Sequence, residues 1–180
     1  MNTPLSQEGR LGKFHTDLGK DKLVLVQFSG SDELNGLFSY HVEALSSDAE
    51  INFQKLLGTH GRVEIQNRYG QEIWFDGIIT RVNWRGTSQN GHRYDLELRP
   101  WIWLAGKRRN QRIFHNMSAP DIIADLLSPY AGLGQPHIKN NLTQSYPELE
   151  YTVQYRESDL NFAQRLMERF GINYFFEHSD

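Results

Sequence analysis

Apolar residues in the first hundred positions recur with a period of two. Phe38, Tyr40, Val42 and Ala44 fall on one side of a chain whose other side carries Ser39, His41 and Glu43. Tyr94, Leu96 and Leu98 alternate in the same way with Asp95, Glu97 and Arg99. Successive side chains of a β-strand point to opposite faces, so this pattern predicts half-buried strands. Residues 23–28 (LVLVQF) form a continuous apolar run, which predicts a strand buried on both faces. Val63 and Ile65 continue the theme, Tyr69-Gly70 marks a turn, and residues 73–84 (IWFDGIITRVNW) predict a long strand. Gly77 within it marks a bulge or a sharp bend. Residues 86–91 (GTSQNG) make a turn by composition, with Asn90-Gly91 able to take positive φ. Several strands broken by glycine turns predict a small antiparallel barrel.

After Pro100 the pattern changes. Residues 101–104 (WIWL) are a dense apolar knot, followed by the basic stretch Lys107, Arg108, Arg109 and Arg112. Residues 118–130 predict a helix: Ser118 caps it, Pro120 suits its first turn, and Asp121 favours the positive end of its dipole. Ile122 with Leu126, and Ile123 with Leu127, form its buried stripe. Residues 132–147 are polar and loop-like. A strand is expected over 151–155 and a second helix over 158–170, with Leu160, Ala163, Leu166, Met167 and Phe170 as its apolar positions and Gly171 as its stop. Residues 172–176 (INYFF) predict a final strand, and the chain stops four residues later. An aromatic strand at such an end predicts a longer parent protein.

The chemical content is mostly negative. With 180 residues, 38% of them hydrophobic, the chain can build a real core, and its formal net charge of −3 gives no general basic field for nucleic acid. No stretch approaches the roughly 20 apolar residues of a membrane-spanning helix. The segment 1–10 (MNTPLSQEGR) lacks the apolar middle of a secretory signal, so assembly in the cytoplasm is expected. Without cysteine, disulfides and thiolate-ligated metals are excluded. No HExxH, GxSxG, P-loop or EF-hand pattern occurs. Gly132-Leu133-Gly134 is a lone GxG outside the strand–helix context that a phosphate site requires. Histidines 15, 41, 60, 92, 115, 137 and 178 are never spaced two, three or four apart, as local metal ligands would be. Asn116-Met117-Ser118 and Asn141-Leu142-Thr143 match the glycosylation sequon by chance, with no export signal to make them relevant. No cofactor, metal or catalytic residue is expected. The basic stretch reads as a solvated turn against the alternative of a phosphate or acidic-protein grip. The tryptophans 74, 84, 101 and 103 read as core or interface residues against the alternative of a sugar-stacking platform.

The residues just passed carry a family resemblance. Phe28-Ser29-Gly30, Leu37-Phe38-Ser39-Tyr40, Leu57-Gly58, Phe75-Asp76-Gly77-Ile78-Ile79 and Leu98-Arg99-Pro100-Trp101-Ile102-Trp103-Leu104 resemble successive pieces of the VgrG family and of related phage baseplate-hub and late-control proteins. Arg112-Ile113-Phe114-His115-Asn116 and the helix at Asp121-Ile122-Ile123 continue it. Residues 153–178 (VQYRESDLNFAQRLMERFGINYFFEH) form its most specific part. The resemblance implies an α+β, mainly β fold: a flexible N-terminus over 1–9, a tube-like antiparallel barrel over 10–105, and the beginning of a small α/β insert domain over 106–180. It implies a structural part of the type VI secretion spike. In the full-length protein that part is a homotrimer seated on the Hcp tube rings, joined to baseplate components, bearing a puncturing needle and possible effectors or a tip protein, and expelled by the machine. A phage tail hub, a carbohydrate-binding β module and a hydrolase with residues converging from distant loops are the alternatives. Lacking a catalytic constellation, purified residues 1–180 are expected to hydrolyse neither peptidoglycan, phospholipid nor nucleic acid, with or without metal. Turnover abolished by substituting one acidic or histidine residue overturns that expectation.

Overall fold

The computed structural model describes residues 5–130 and 138–178. The chain forms two compact units, one running to Pro100 and resuming at Phe176, the other spanning Trp101–Phe175.

The first unit is a six-stranded antiparallel sheet. Its strands are β1 (Gly12–Thr16), β2 (Val24–Ser31), β3 (Ser39–Ser46), β4 (His60–Gln66), β5 (Glu72–Ser88) and β6 (Gly91–Arg99), in the order β1-β4-β5-β6-β3-β2. The period of two becomes packing through register. Across β3 and β6, Tyr40 lies opposite Leu98, Val42 opposite Leu96 and Ala44 opposite Tyr94, so that small faces large. All six are buried, and Phe14, Leu23, Phe38, Leu56, Val63 and Ile79 complete the core around them. Leu56 is delivered by a short 3-10 turn, Phe53–Lys55, whose cap Asn52 accepts from the Gln54 backbone.

Gly77 is neither a bulge nor a bend. It pairs in register with Gly61 across β4 and β5. A Cβ on Gly77 would meet Phe38 Cε2 and the Arg99 carbonyl at 3.0 Å, and one on Gly61 would meet Leu98 Cδ2 at 2.8 Å. These facing glycines leave the room that Phe38 and Leu98 fill. The irregularities in β5 lie further on, between Ile79 and Arg81 and between Trp84 and Thr87. Of the pair Asn90-Gly91 only the glycine takes positive φ, at 127°, and Gly86 before them has φ 98°.

The run 23–28 is not buried on both faces. β2 is an edge strand with β3 as its one partner, and Val26 is 47% exposed. The sheet curls until the edges β1 and β2 approach without pairing. Gln7 fills the gap: its Oε1 accepts from the backbone N–H of Phe14 at 2.7 Å and of Leu25 at 3.0 Å, and its Nε2 donates to the Phe14 carbonyl. One amide side chain thus does for two edges what a peptide group does within a ladder.

The second unit packs two helices against a two-stranded sheet, β7 (Arg109–Met117) with β8 (Leu149–Ser158). The apolar knot forms a 3-10 helix, Trp101–Lys107, burying Ile102 and Ala105. Helix α1 (Ala119–Leu127) starts at Ser118, which accepts from the Asp121 N–H, and buries Ile122, Ile123, Leu126 and Leu127. Helix α2 (Asp159–Phe170) is capped by Ser158, which accepts from Asn161 N–H, and ends at Gly171 with φ 66°. The Ile172 N–H returning to the Met167 carbonyl at 2.8 Å completes the C-terminal cap. Its core face holds Phe162, stacked on Phe114 at 5.6 Å, which the sequence stripe omitted; Phe170 is only half-buried, near Tyr146.

Residues 172–176 form no strand. Exposure still alternates along them. Phe176 instead joins the first unit, edge-on to Phe38 with ring centres 5.2 Å apart. The expected GxG at 132–134 lies outside the described residues.

Gln7→Leu leaves the Phe14 and Leu25 N–H groups without their acceptor. A loss of at least about 1–3 kcal/mol is expected, the cost of a buried donor left unpaired. Urea melts, together with faster hydrogen exchange at those two amides, check it.

Candidate functional site

The first unit concentrates its polar chemistry in cross-strand pairs. Glu64 on β4 is buried beneath Lys13 and His15 of β1, with His15 Nε2 at 2.9 Å. Burial alone would push its carboxyl up, but the hydrogen bonds and charges of Lys13 and His15 outweigh this and hold it below the usual range. Glu97 is buried between Arg81, at 3.4 Å, and Arg99. These are structural arrangements: each carboxylate is saturated by its cations.

The chain returning after residue 175 makes a second cluster in the same unit. His178 Nδ1 accepts from the Asp76 N–H at 3.1 Å, and its Nε2 lies 3.0 Å from the Tyr40 hydroxyl. The Asp76 carboxylate meanwhile holds His60 Nδ1 at 2.9 Å and Arg62 Nε at 3.4 Å. The Tyr40 phenol is pushed up, first by burial and then by the charge of Asp32. Of the other histidines, His92 bonds Thr87 and His41 and His115 are exposed. Among the described residues no group of His, Asp and Glu is placed to hold a metal ion.

Within the first unit the two tryptophans form no platform. Trp74 and Trp84 are ten residues apart on β5, about 30 Å along a strand, too far to share one sugar. Trp74 tilts over His15 at 5.5 Å, while Trp84 is exposed. Trp101 and Trp103 belong to the 3-10 helix of the second unit.

The basic stretch is not a simple turn, because Arg109 and Arg112 are already in β7. Lys107 Nζ sits 4.1 Å above the Trp103 ring. Arg108 reaches to 3.9 Å from the carboxylate of Asp159. Asp159, wholly buried at the first turn of α2, is the polar centre of the second unit. It accepts from the Tyr130 hydroxyl at 2.8 Å and from Gln154 Nε2 at 2.7 Å, and the positive end of the helix faces it. Burial, then the Asp159 carboxylate, pushes the Tyr130 phenol up to about 12. Nothing in the periodicity of the sequence marks Tyr130 and Gln154 as its partners. Lys107, Arg109 and Arg156 line an open cleft of ≈ 360 Å³ with Trp103 as one wall. These features position charge and packing.

A family model of the phage tail baseplate hub matches residues 31–180. The chain belongs to this family. Its curled antiparallel sheet is similar to that of phage tail hub proteins. The chain is 36% identical over 173 residues to the type VI secretion system spike protein VgrG1c of Pseudomonas aeruginosa, an alignment covering 96% of this chain and 23% of that protein. The chain thus spans about a quarter of the length of the curated relatives it matches. Among solved structures, the E. coli c3393 protein superposes with a TM-score of 0.67 at 27% identity, over 81% of this chain and 39% of that one. That protein is described as a component of the type VI secretion system with structural similarity to the T4 bacteriophage tail proteins gp27 and gp5. A tail protein from Neisseria meningitidis MC58 shares the fold, with a TM-score of 0.51 at 19% identity, over 80% of this chain and 41% of that one.

Tyr130→Phe removes a donor from a buried carboxylate and is expected to cost about 1.5–3 kcal/mol, the range for hydrogen bonds to charged groups. The sign with pH follows from the raised phenol. An unfolded tyrosine loses its proton near about 10, whereas Tyr130 holds it to about 12. Its contribution is therefore complete below the lower value and is lost as pH rises between the two. Thermal melts of both proteins from neutral to alkaline pH are expected to converge across that window.

Proposed function

We propose that this hub-family chain is part of a type VI secretion spike, a structural component that is not catalytic. The observation that carries this reading is the 36% identity to VgrG1c across nearly the whole chain. The fold likeness to c3393, at 27% identity, supports it from the structural side. In the whole protein, the six-stranded unit is the barrel of the hub, and the unit that starts at Trp101 begins the insert domain. Three copies associate, seat on rings of the Hcp tube and meet baseplate components. They carry the needle forward with any effector or tip protein attached. The protein is made in the cytoplasm and leaves with the machine. A hub works through large packed faces, which suits a chain whose buried carboxylates are tied up in structural ion pairs.

A second reading, the hub of a phage tail, is favoured by the matching phage family model and the Neisseria tail fold. Neighbouring genes separate the two: sheath and ClpV-like ATPase genes without capsid genes accompany a secretion machine.

The test is made in the producing bacterium, stripped of any other spike genes. Removing this gene is expected to abolish appearance of the tube subunit in the medium, and the native full-length gene is expected to restore it. Undiminished tube export without the gene rules the reading out.

A further inference from the structure

Strand β8 wears its side chains inside out. Thr152 and Gln154 face inward and are buried, while Tyr151, Val153 and Tyr155 face outward at 63%, 39% and 60% exposure. On β7, Ile113 is 60% exposed and lies directly opposite Val153. Cross-strand neighbours are about 5 Å apart, so these four make one apolar ridge. A sheet face left in water ordinarily carries the polar half of the alternation.

The ridge ends at a concentration of positive charge. The Arg156 guanidinium lies 5.2 Å from the Tyr155 ring centre, and Arg156 also lines the cleft shared by Lys107, Arg109 and Trp103. The carboxylate in that cleft, Glu157, is already engaged by Arg165 at 2.5 Å. Ridge and cleft together present apolar side chains followed by cations with no carboxylate partner among the described residues, all within the second unit.

We propose that this surface docks an acidic segment of a partner protein, an extended stretch in which apolar side chains cover the ridge and carboxylates enter the cleft. Charge complementarity selects this occupant. A second copy using the same face would bring its own Lys107, Arg109 and Arg156 and no added carboxylate to answer them. Free phosphate would leave the ridge uncovered. It would also find no cradle at the start of α2, where Ser158 takes the Asn161 N–H and the Arg108 carbonyl takes that of Asp159. The inference goes beyond the hub reading and stands on this surface alone.

The test uses the 180-residue chain and a short synthetic peptide in which valines alternate with serines and then give way to glutamates, followed by NMR at the Trp103 indole and the β8 amides. Saturable shifts are expected. Arg109→Gln and Lys107→Gln, made separately, are each expected to weaken binding by about tenfold or more, and Ile113→Ser is expected to weaken it as well. Unchanged α1 and α2 amide spectra show that each variant folds. The matching peptides with glutamine or lysine in place of glutamate, inorganic phosphate and a single-stranded oligonucleotide are expected to leave these signals unmoved. Four results each overturn the proposal: no saturable shift, equal binding of the glutamine peptide, equal shifts with phosphate or oligonucleotide, or self-association of the protein that Ile113→Ser abolishes. Tube export in the bacterium is a separate readout, so failure here leaves the hub reading untouched.

Discussion

A sheet with a single apolar face must hide it, and in the first unit the sheet does so by curling over its own side chains. Most of the architecture follows from that requirement. Curling brings Phe14 of β1, Val63 of β4 and Ile79 of β5 onto the same core as Tyr40, Val42, Leu96 and Leu98 of the central pair. The facing glycines 61 and 77 supply the space for Phe38 and Leu98. The curl also sets two strand edges near each other at the wrong spacing for pairing, and Gln7 satisfies both with one amide. Leu56 and Phe176, arriving from outside the strands, cover what the sheet alone leaves open.

The second unit is organised differently. Its centre is a charge, Asp159, kept buried by Tyr130, Gln154 and the start of α2, with Arg108 at the margin. A carboxylate removed from water is tolerated only when its lone pairs are met, and here an element from each side contributes a donor. This polar centre explains the inward glutamine of β8, and with it the outward turn of Tyr151, Val153 and Tyr155.

Much of the fold was legible in the residues. The helix starts at Ser118 and Ser158 and the stop at Gly171 depend on atoms within one turn of the cap, so their signals are local and reliable. The alternation of β3 and β6 was legible for the same reason. Other features were misread where one pattern serves two geometries. A continuous apolar run suits an interior strand or an edge strand with one side open, and residues 23–28 are the latter. A glycine within a strand marks a bulge or a close approach, and Gly77 is the latter. Residues 172–176 have strand composition but lie in no strand, and Phe176 packs on Phe38 instead. The candidate surface was half visible: the basic stretch stood out, but Arg156 and the exposed ridge did not.

The sequence by itself determined the alternation of β3 and β6, the starts of both helices and the stop at Gly171, the lack of thiol chemistry and the family to which the chain belongs. These rest on spacing, composition and motif, which need no knowledge of what lies across the fold. Only the tertiary structure decided which face of each strand is buried. Alternation defines two faces without ranking them; the ranking comes from what packs on either side. Thus Tyr40 and Tyr94 are core residues while Tyr151 and Tyr155, alternating just as regularly, stand in water. The same holds for Gln7 and His178, polar residues whose meaning depends on partners brought to them by the folding of distant chain. Hydrogen-bonding capacity is written in a residue type, but its use is settled by whichever edge, carbonyl or ring the fold sets within about 3 Å of it.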